Sequence, residues 1–269
     1  MPARACAFNA GMSTANAFLS ASPASPGFLA LLGGTFLFAG CVKGVTGMGL
    51  PTVAMGLLGL GMPPVAAAGL LVVPSLVTNL WQCATGTGTG ALLRRLWPLL
   101  LASAAGAGAS AALLARLDPL WTGPALGVAL IVYALHALWA RPLKVPPGAE
   151  RWLSPLVGAV TGIVTGATGV FVMPAVPYLQ ALQLGRDALV QALGWSFTVS
   201  TLALAAGLAA HGALRAPQIG WSVLATLPAL AGMALGQRLR ARLSPQRFRQ
   251  AFLGLLLLLG LELASRALR

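Results

Sequence analysis

The sequence predicts an all-helical, multi-pass membrane protein, and three observations carry that fold class. Of 269 residues, 58% are apolar and only 8% are charged, against roughly 25% charged in a soluble domain. So little charge cannot cover a surface that faces water, and the mean hydropathy of +0.85 agrees. The apolar residues also gather in continuous runs rather than alternating, which disfavours a barrel. Backbone in lipid must satisfy its hydrogen bonds internally, so these runs are helices. The 33 glycines and 19 prolines follow no Gly-x-y period, which excludes a collagen-like chain.

Taken in order, residues 1–27 are rich in Ala, Ser and Pro with Arg4 as their one basic residue, and read as a disordered tail. Apolar runs follow at 28–60, 65–83, 95–115, 121–139, 152–182, 188–210, 218–236 and 248–264. Six of them hold 17 to 23 residues, one bilayer crossing each at a rise of about 1.5 Å per residue. The runs 28–60 and 152–182 exceed 30 residues and are interrupted by glycines, so each is a broken helix or a helical hairpin. Eight to ten helical segments result.

The two long runs resemble one another. The first reads Gly40-Cys41-Val42-Lys43-Gly44-Val45-Thr46-Gly47-Met48-Gly49. The second runs from Gly158 to Gly169 and carries Gly162, Thr165, Gly166 and Thr168 between. Each half holds one broken run and three plain ones, which reads as a duplication. Paired interrupted helices point to a transporter site. The predicted organisation is a first transmembrane repeat at 28–139, a cytoplasmic linker at 140–151 and a second repeat at 152–264.

Charge sets the orientation. Seventeen Lys and Arg stand against four acids, for a net charge of +13. The basic residues lie mostly in short connections between apolar runs, which argues for loops facing anionic lipid in the cytoplasm and against nucleic-acid binding. If each broken run enters and returns, the connections 84–95, 140–153, 183–188 and 237–247 share the basic side. Both termini then lie outside and the halves are predicted to be inverted repeats. Cys6, Cys41 and Cys83 have no metal-ligand spacing, so no metal site, disulfide framework or cofactor is predicted.

At the residue level the chain resembles the sulfite exporter TauE/SafE family over residues 30–264. The resemblance rests on Gly44-Val45-Thr46-Gly47-Met48-Gly49, on Met62-Pro63-Pro64-Val65-Ala66, on Pro74-Ser75-Leu76-Val77-Thr78-Asn79-Leu80-Trp81-Gln82 and on the second glycine cluster at 158–169. It implies a transporter, an exporter, of small anions such as sulfite and organosulfonates, in the inner or plasma membrane. The second cluster lacks the uninterrupted glycine run common in that family.

The candidate substrate-binding residues are Lys43, Thr46, Gly47, Gly49, Ser75, Asn79, Gln82, Thr165, Gly166, Gly169 and Thr198. A helix broken inside a membrane presents free N–H groups that favour an anion. Gly47, Gly49, Gly166 and Gly169 would let it approach; the alternative is tight helix packing, to which Gly40, Gly44, Gly158 and Gly162 are assigned. Lys43 is a lone cation within a broken run. It would be neutralised by a permeating anion or would snorkel to an interface. Ser75, Thr78, Asn79 and Gln82 recur at i, i+3, i+4 and i+7, one helix face of hydroxyl and amide groups; bridging to neighbouring helices is their alternative role.

His136 and His211 could relay protons but read as interhelical hydrogen bonders. No catalytic residues are expected: Ser196 and His211 lie on one run and cannot face each other as a dyad, so an intramembrane enzyme ranks below an anion channel or a non-transporting subunit as the alternative to a transporter. No acid accompanies either glycine cluster, so anion export driven by membrane potential alone is the expected coupling. The partners implied are the lipid bilayer and a small anion.

Overall fold

A computed structural model describes residues 25–84, 88–139, 144–146, 148–240, 242 and 244–266. Residues 1–24 of the expected tail (with Arg4 and Cys6), Arg141 in the expected linker and residues 267–269 lie outside them. Ten helices form among the described residues: α1 (Pro26–Thr46), α2 (Leu50–Leu58), α3 (Pro64–Ala84), α4 (Thr89–Arg116), α5 (Pro119–Trp139), α6 (Glu150–Thr168), α7 (Ala175–Ala181), α8 (Arg186–Ala210), α9 (Ala216–Leu239) and α10 (Pro245–Ser265). No strand occurs there. Seven helices (α1, α3, α4, α5, α8, α9 and α10) are long and apolar enough to cross a membrane. The eighth long helix, α6, begins with Glu150 and Arg151 and is not among them.

Both long runs are interrupted where the glycines stand. Helix α1 stops because Gly47 takes a left-handed φ of 79°, and its N–H returns to the Lys43 carbonyl at 2.7 Å. Gly49, at φ 97°, opens α2. Glycine adopts these angles without the Cβ clash that penalises other residues. In the second run Gly169 ends α6 at φ 72°, and its N–H returns to the Thr165 carbonyl, also at 2.7 Å. One expected boundary moves: the basic connection at 84–95 is shorter, because Gly88 at φ 85° caps a helix that already begins at Thr89. Arg94 and Arg95 therefore sit in the first turns of α4.

Packing fixes the helix directions. Gly40 and Gly44 of α1 lie against Ala229 and Met233 of α9, so those two helices run parallel at backbone contact. Gly158 and Gly162 of α6 lie in the same way against Leu99 and Ser103 of α4. A Cβ at any of these four glycines would collide with a backbone carbonyl of the facing helix. These are close small-residue contacts of the kind that drive helix association in lipid. Helix α2 turns back: Gly49 lies near Phe252, Gly56 near Leu259 and Gly59 near Leu263, parallel to α10, and Gly61 ends beside Leu31 near the start of α1. Exchanging the two halves leaves the main pairings unchanged, since α1 packs on α9 as α6 packs on α4, and α3 packs on α9 as α8 packs on α4.

The connections after α3, α5, α7 and α9 consequently share one face. Ten of the described basic residues lie at or beside it: Arg94, Arg95, Lys144, Arg151, Arg186, Arg238, Arg240, Arg242, Arg247 and Arg249. Only Arg116, Arg215 and Arg266 mark the other. On the basic face Arg95 grips Glu150 through Nε and a terminal nitrogen at 2.6 and 2.7 Å. On the other face Phe28 and Trp221 meet edge to face, ring centres 5.3 Å apart. Inside α3, Pro74 has no N–H to give the Leu70 carbonyl, and Ser222 of α9 supplies the missing donor at 2.7 Å.

Candidate functional site

The site is built on the last turn of α1 and the second half of α3. Lys43 is 1% exposed. Its Nζ donates to Thr78 Oγ1 at 3.0 Å and to Asn79 Oδ1. The Thr78 hydroxyl gives its own proton to the Pro74 carbonyl at 2.7 Å, which leaves a lone pair facing the amine. A lysine in the last turn of a helix can serve its dipole. This one bonds instead across to Thr78 and Asn79 of α3. An ammonium has three donors, and these two bonds leave one. The described ion pairs are Arg95–Glu150 and Arg266–Glu262, so no carboxylate neutralises Lys43.

Neighbouring polar groups hold the break in place. Gln82 Nε2 donates to the Gly47 carbonyl at 2.6 Å. The one proton of Thr46 Oγ1 is shared between the Val42 and Met48 carbonyls, 2.8 and 2.7 Å away, and the oxygen accepts from the Met48 N–H at 3.2 Å. Two buried polar atoms of the α3 face, Asn79 Nδ2 and Ser75 Oγ, have no hydrogen-bond partner among the described residues. A third such atom, Thr52 Oγ1, is on the first turn of α2. Leaving such a group unpaired costs about 1–3 kcal/mol.

A cleft of about 300 Å³ leads to Lys43. Of its lining residues Lys43, Gly44, Gly47, Gln82 and Met233 are buried, Val190 and Arg240 half-buried, and Trp81, Arg186, Asp187 and Gln237 exposed; Arg186, Asp187 and Arg240, where α8 begins and α9 ends, stand at its mouth. Burial and the nearby Arg186 pull the Arg240 guanidinium below its ordinary value, while Asp187 acts in the opposite sense. The cleft lies at the basic face, between the start of α8 and the end of α9.

Of the residues singled out in the sequence, the structure brings Lys43, Gly47 and Gln82 to this cleft, with Asn79 bonded to Lys43. Thr46 shapes the break from within. Gly49 opens α2 and faces Phe252. The second-half candidates do not line the cleft. Thr165 Oγ1 donates to the Val170 carbonyl at 3.2 Å. Gly166 is pressed against Ala107 and Ser110 of α4, and Gly169 against Met55 of α2. Thr198 donates to the Gly194 carbonyl at 2.7 Å and sits 3.9 Å from Cys83 Sγ. His211 bonds the Gly207 carbonyl at its own helix end, 2.7 Å away.

The mouth residues were not legible as a site. Arg186 and Asp187 fall in the connection 183–188, and no local pattern joins Trp81 to them. Gln237 and Arg240 meet them only through the α1–α9 contact. The one available signal was that Trp81 adjoins Gln82 at the end of the α3 polar face.

A multi-pass helical bundle with interrupted helices and a buried, polar-lined cationic site defines a membrane transporter for a small molecule. The Sulfite exporter TauE/SafE family model matches residues 32–263. The chain belongs to that family. No curated protein and no solved structure matches it.

Proposed function

We propose that this protein exports small anions, such as sulfite or organosulfonates, across the inner or plasma membrane, with Lys43 as the binding cation. The observation that carries the reading is a buried ammonium at the inner end of a cleft, which forms no ion pair with a carboxylate among the described residues. A cation at bilayer depth costs about 2.5–3.5 kcal/mol on insertion scales unless it is paired or wet. Thr78 and Asn79 recover part of this, and an anion entering the cleft supplies the rest. Asn79 Nδ2 is the adjoining donor, and Gln82 and Gly47 frame the approach.

In this reading the basic face is cytoplasmic, both termini are outside, and the halves at 28–139 and 152–264 form an inverted repeat joined by a linker at 140–151. The basic asymmetry and the parallel pairs α1–α9 and α4–α6 support it. Thr165, Gly166, Gly169 and Thr198 then belong to the counterpart break and its packing, at one remove from the anion. No catalytic role is assigned. Ser196 and His211 lie fifteen positions apart on one helix, about 22 Å along its axis.

The test is flux of radiolabelled sulfite and of methanesulfonate into proteoliposomes. Saturable flux that falls at least tenfold in Lys43→Ala is expected. Flux at the level of empty vesicles for both anions would overturn the reading.

A further inference from the structure

Lys43 is not alone in facing the cleft. Arg186 opens α8 and Arg240 follows α9 directly, and both line the mouth. No described ion pair or hydrogen bond commits either guanidinium. Two like charges brought to one opening repel, an arrangement that is relieved when an anion sits between them. Both are partly or fully open to solvent, whereas Lys43 is 1% exposed, so the mouth and the buried amine are distinct places.

We propose that Arg186 and Arg240 form an outer anion subsite at the mouth of the cleft, separate from Lys43, which holds a small oxyanion before it moves inward. A guanidinium presents a planar fork of donors that matches the oxygens of a sulfonate, sulfite or carboxylate. Trp81, 56% exposed, lines the same cleft with Val190 and Met233, and offers an apolar wall to the rest of an organic anion. Asp187 is the one acid of the lining. It opposes the positive field at Arg240 and weakens the subsite. A carrier path needs sites strong enough to capture and weak enough to release, and Asp187 sets that balance. Only the order of events, outer site first, rests on the transport reading; binding at the mouth does not.

Trp81 provides a probe independent of transport. Fluorescence quenching by iodide, an anion, is compared with quenching by neutral acrylamide in the full-length protein. The Trp81 contribution is the difference from Trp81→Phe. Iodide quenching of that component should saturate and should be displaced by methanesulfonate. It should fall threefold or more in Arg186→Gln/Arg240→Gln and rise two- to fivefold in Asp187→Asn, with acrylamide quenching unchanged throughout. Linear iodide quenching indifferent to these substitutions overturns the proposal. A parallel change with acrylamide does so too, since it reports altered exposure rather than anion binding. In the sulfite flux assay Arg240→Gln should raise KM with little change in kcat, while Lys43→Ala lowers kcat. If wild-type protein carries no anion, the transport reading fails and the iodide result still decides the subsite.

Discussion

Thr46 and Thr168 close their helices with the same pair of bonds. Each hydroxyl donates to the carbonyl four residues back, Val42 at 2.8 Å and Val164 at 2.7 Å, and each accepts from the N–H two residues on, at 3.2 Å in both cases. The shift of 122 residues that relates them places Thr165 opposite Lys43 and Gly166 opposite Gly44. The two breaks therefore share a backbone design but differ in charge: one half offers a buried cation and the other a hydroxyl tied to its own chain. The anion site should be one-sided, and the first prediction follows from that.

Lys43→Ala should lower flux at least tenfold, while Thr165→Ala should lower it less than threefold. Removing Lys43 leaves Asn79 Oδ1 without its partner, a penalty of about 1–3 kcal/mol. It also removes a desolvated charge of comparable cost, so the melting temperature in detergent should change little. Equal flux losses from the two substitutions would show that both breaks hold the anion alike.

The glycines should divide into two groups. Gly44 and Gly162 meet facing backbone, so Gly44→Val and Gly162→Val must push helices apart. Overpacking of this kind costs about 1–3 kcal/mol and more where backbone cannot yield. At Gly47 an added Cβ would find Val190 Cγ2 at an ordinary 3.6 Å. Gly47→Ala therefore carries only left-handed strain of about 1–2 kcal/mol. Thermal melts should rank Gly47→Ala above both valine variants in stability; the reverse order would contradict the packing assignment.

How far the sequence could be read depended on whether a feature was local. The run lengths located the eight long helices, and the glycine clusters located both breaks, because span length and left-handed glycine are local requirements. The spacing Ser75, Thr78, Asn79, Gln82 placed a polar face on α3 for the same reason. What was hidden depends on contacts between distant segments. Arg240 reaches the cleft because α9 packs on α1 through Gly40 and Gly44, and no local pattern encodes that meeting. Gly166 and Gly47 look alike in the sequence, yet one is covered by Ala107 and Ser110 and the other lines a cleft.

Sidedness can be checked without any substrate. Lys144 and Arg215 mark opposite faces of the bundle, the first beside the α5–α6 connection and the second at the start of α9. In a background without the native cysteines, Lys144→Cys should be labelled by an impermeant maleimide only from the cytoplasm, and Arg215→Cys only from outside. Labelling of both from one side contradicts the inverted arrangement.

Membrane potential alone should drive the proposed export. A proton-coupled carrier commonly holds a carboxylate or histidine chain within the membrane. Three of the four acids are accounted for away from the break, and the fourth stands only at the mouth of the cleft that leads to it. Glu150 grips Arg95, and Glu262 lies 3.7 Å from Arg266. Asp118 accepts from the Leu120 N–H at 2.9 Å in the α4–α5 turn, and Asp187 stands at the cleft mouth. Of the histidines, His211 bonds its own helix end and His136 lies in the last turn of α5, neither beside Lys43. A monoanion leaving a cell that is negative inside gains about 2.3 kcal/mol per 100 mV, close to a fifty-fold gradient, with no coupled ion. In proteoliposomes at equal pH on both sides, a potassium diffusion potential should therefore drive anion flux toward the positive compartment and reverse with the sign of the potential. Flux that responds to a pH gradient and ignores voltage would make the export proton-coupled, and His136→Gln and His211→Gln would then be the variants to measure first.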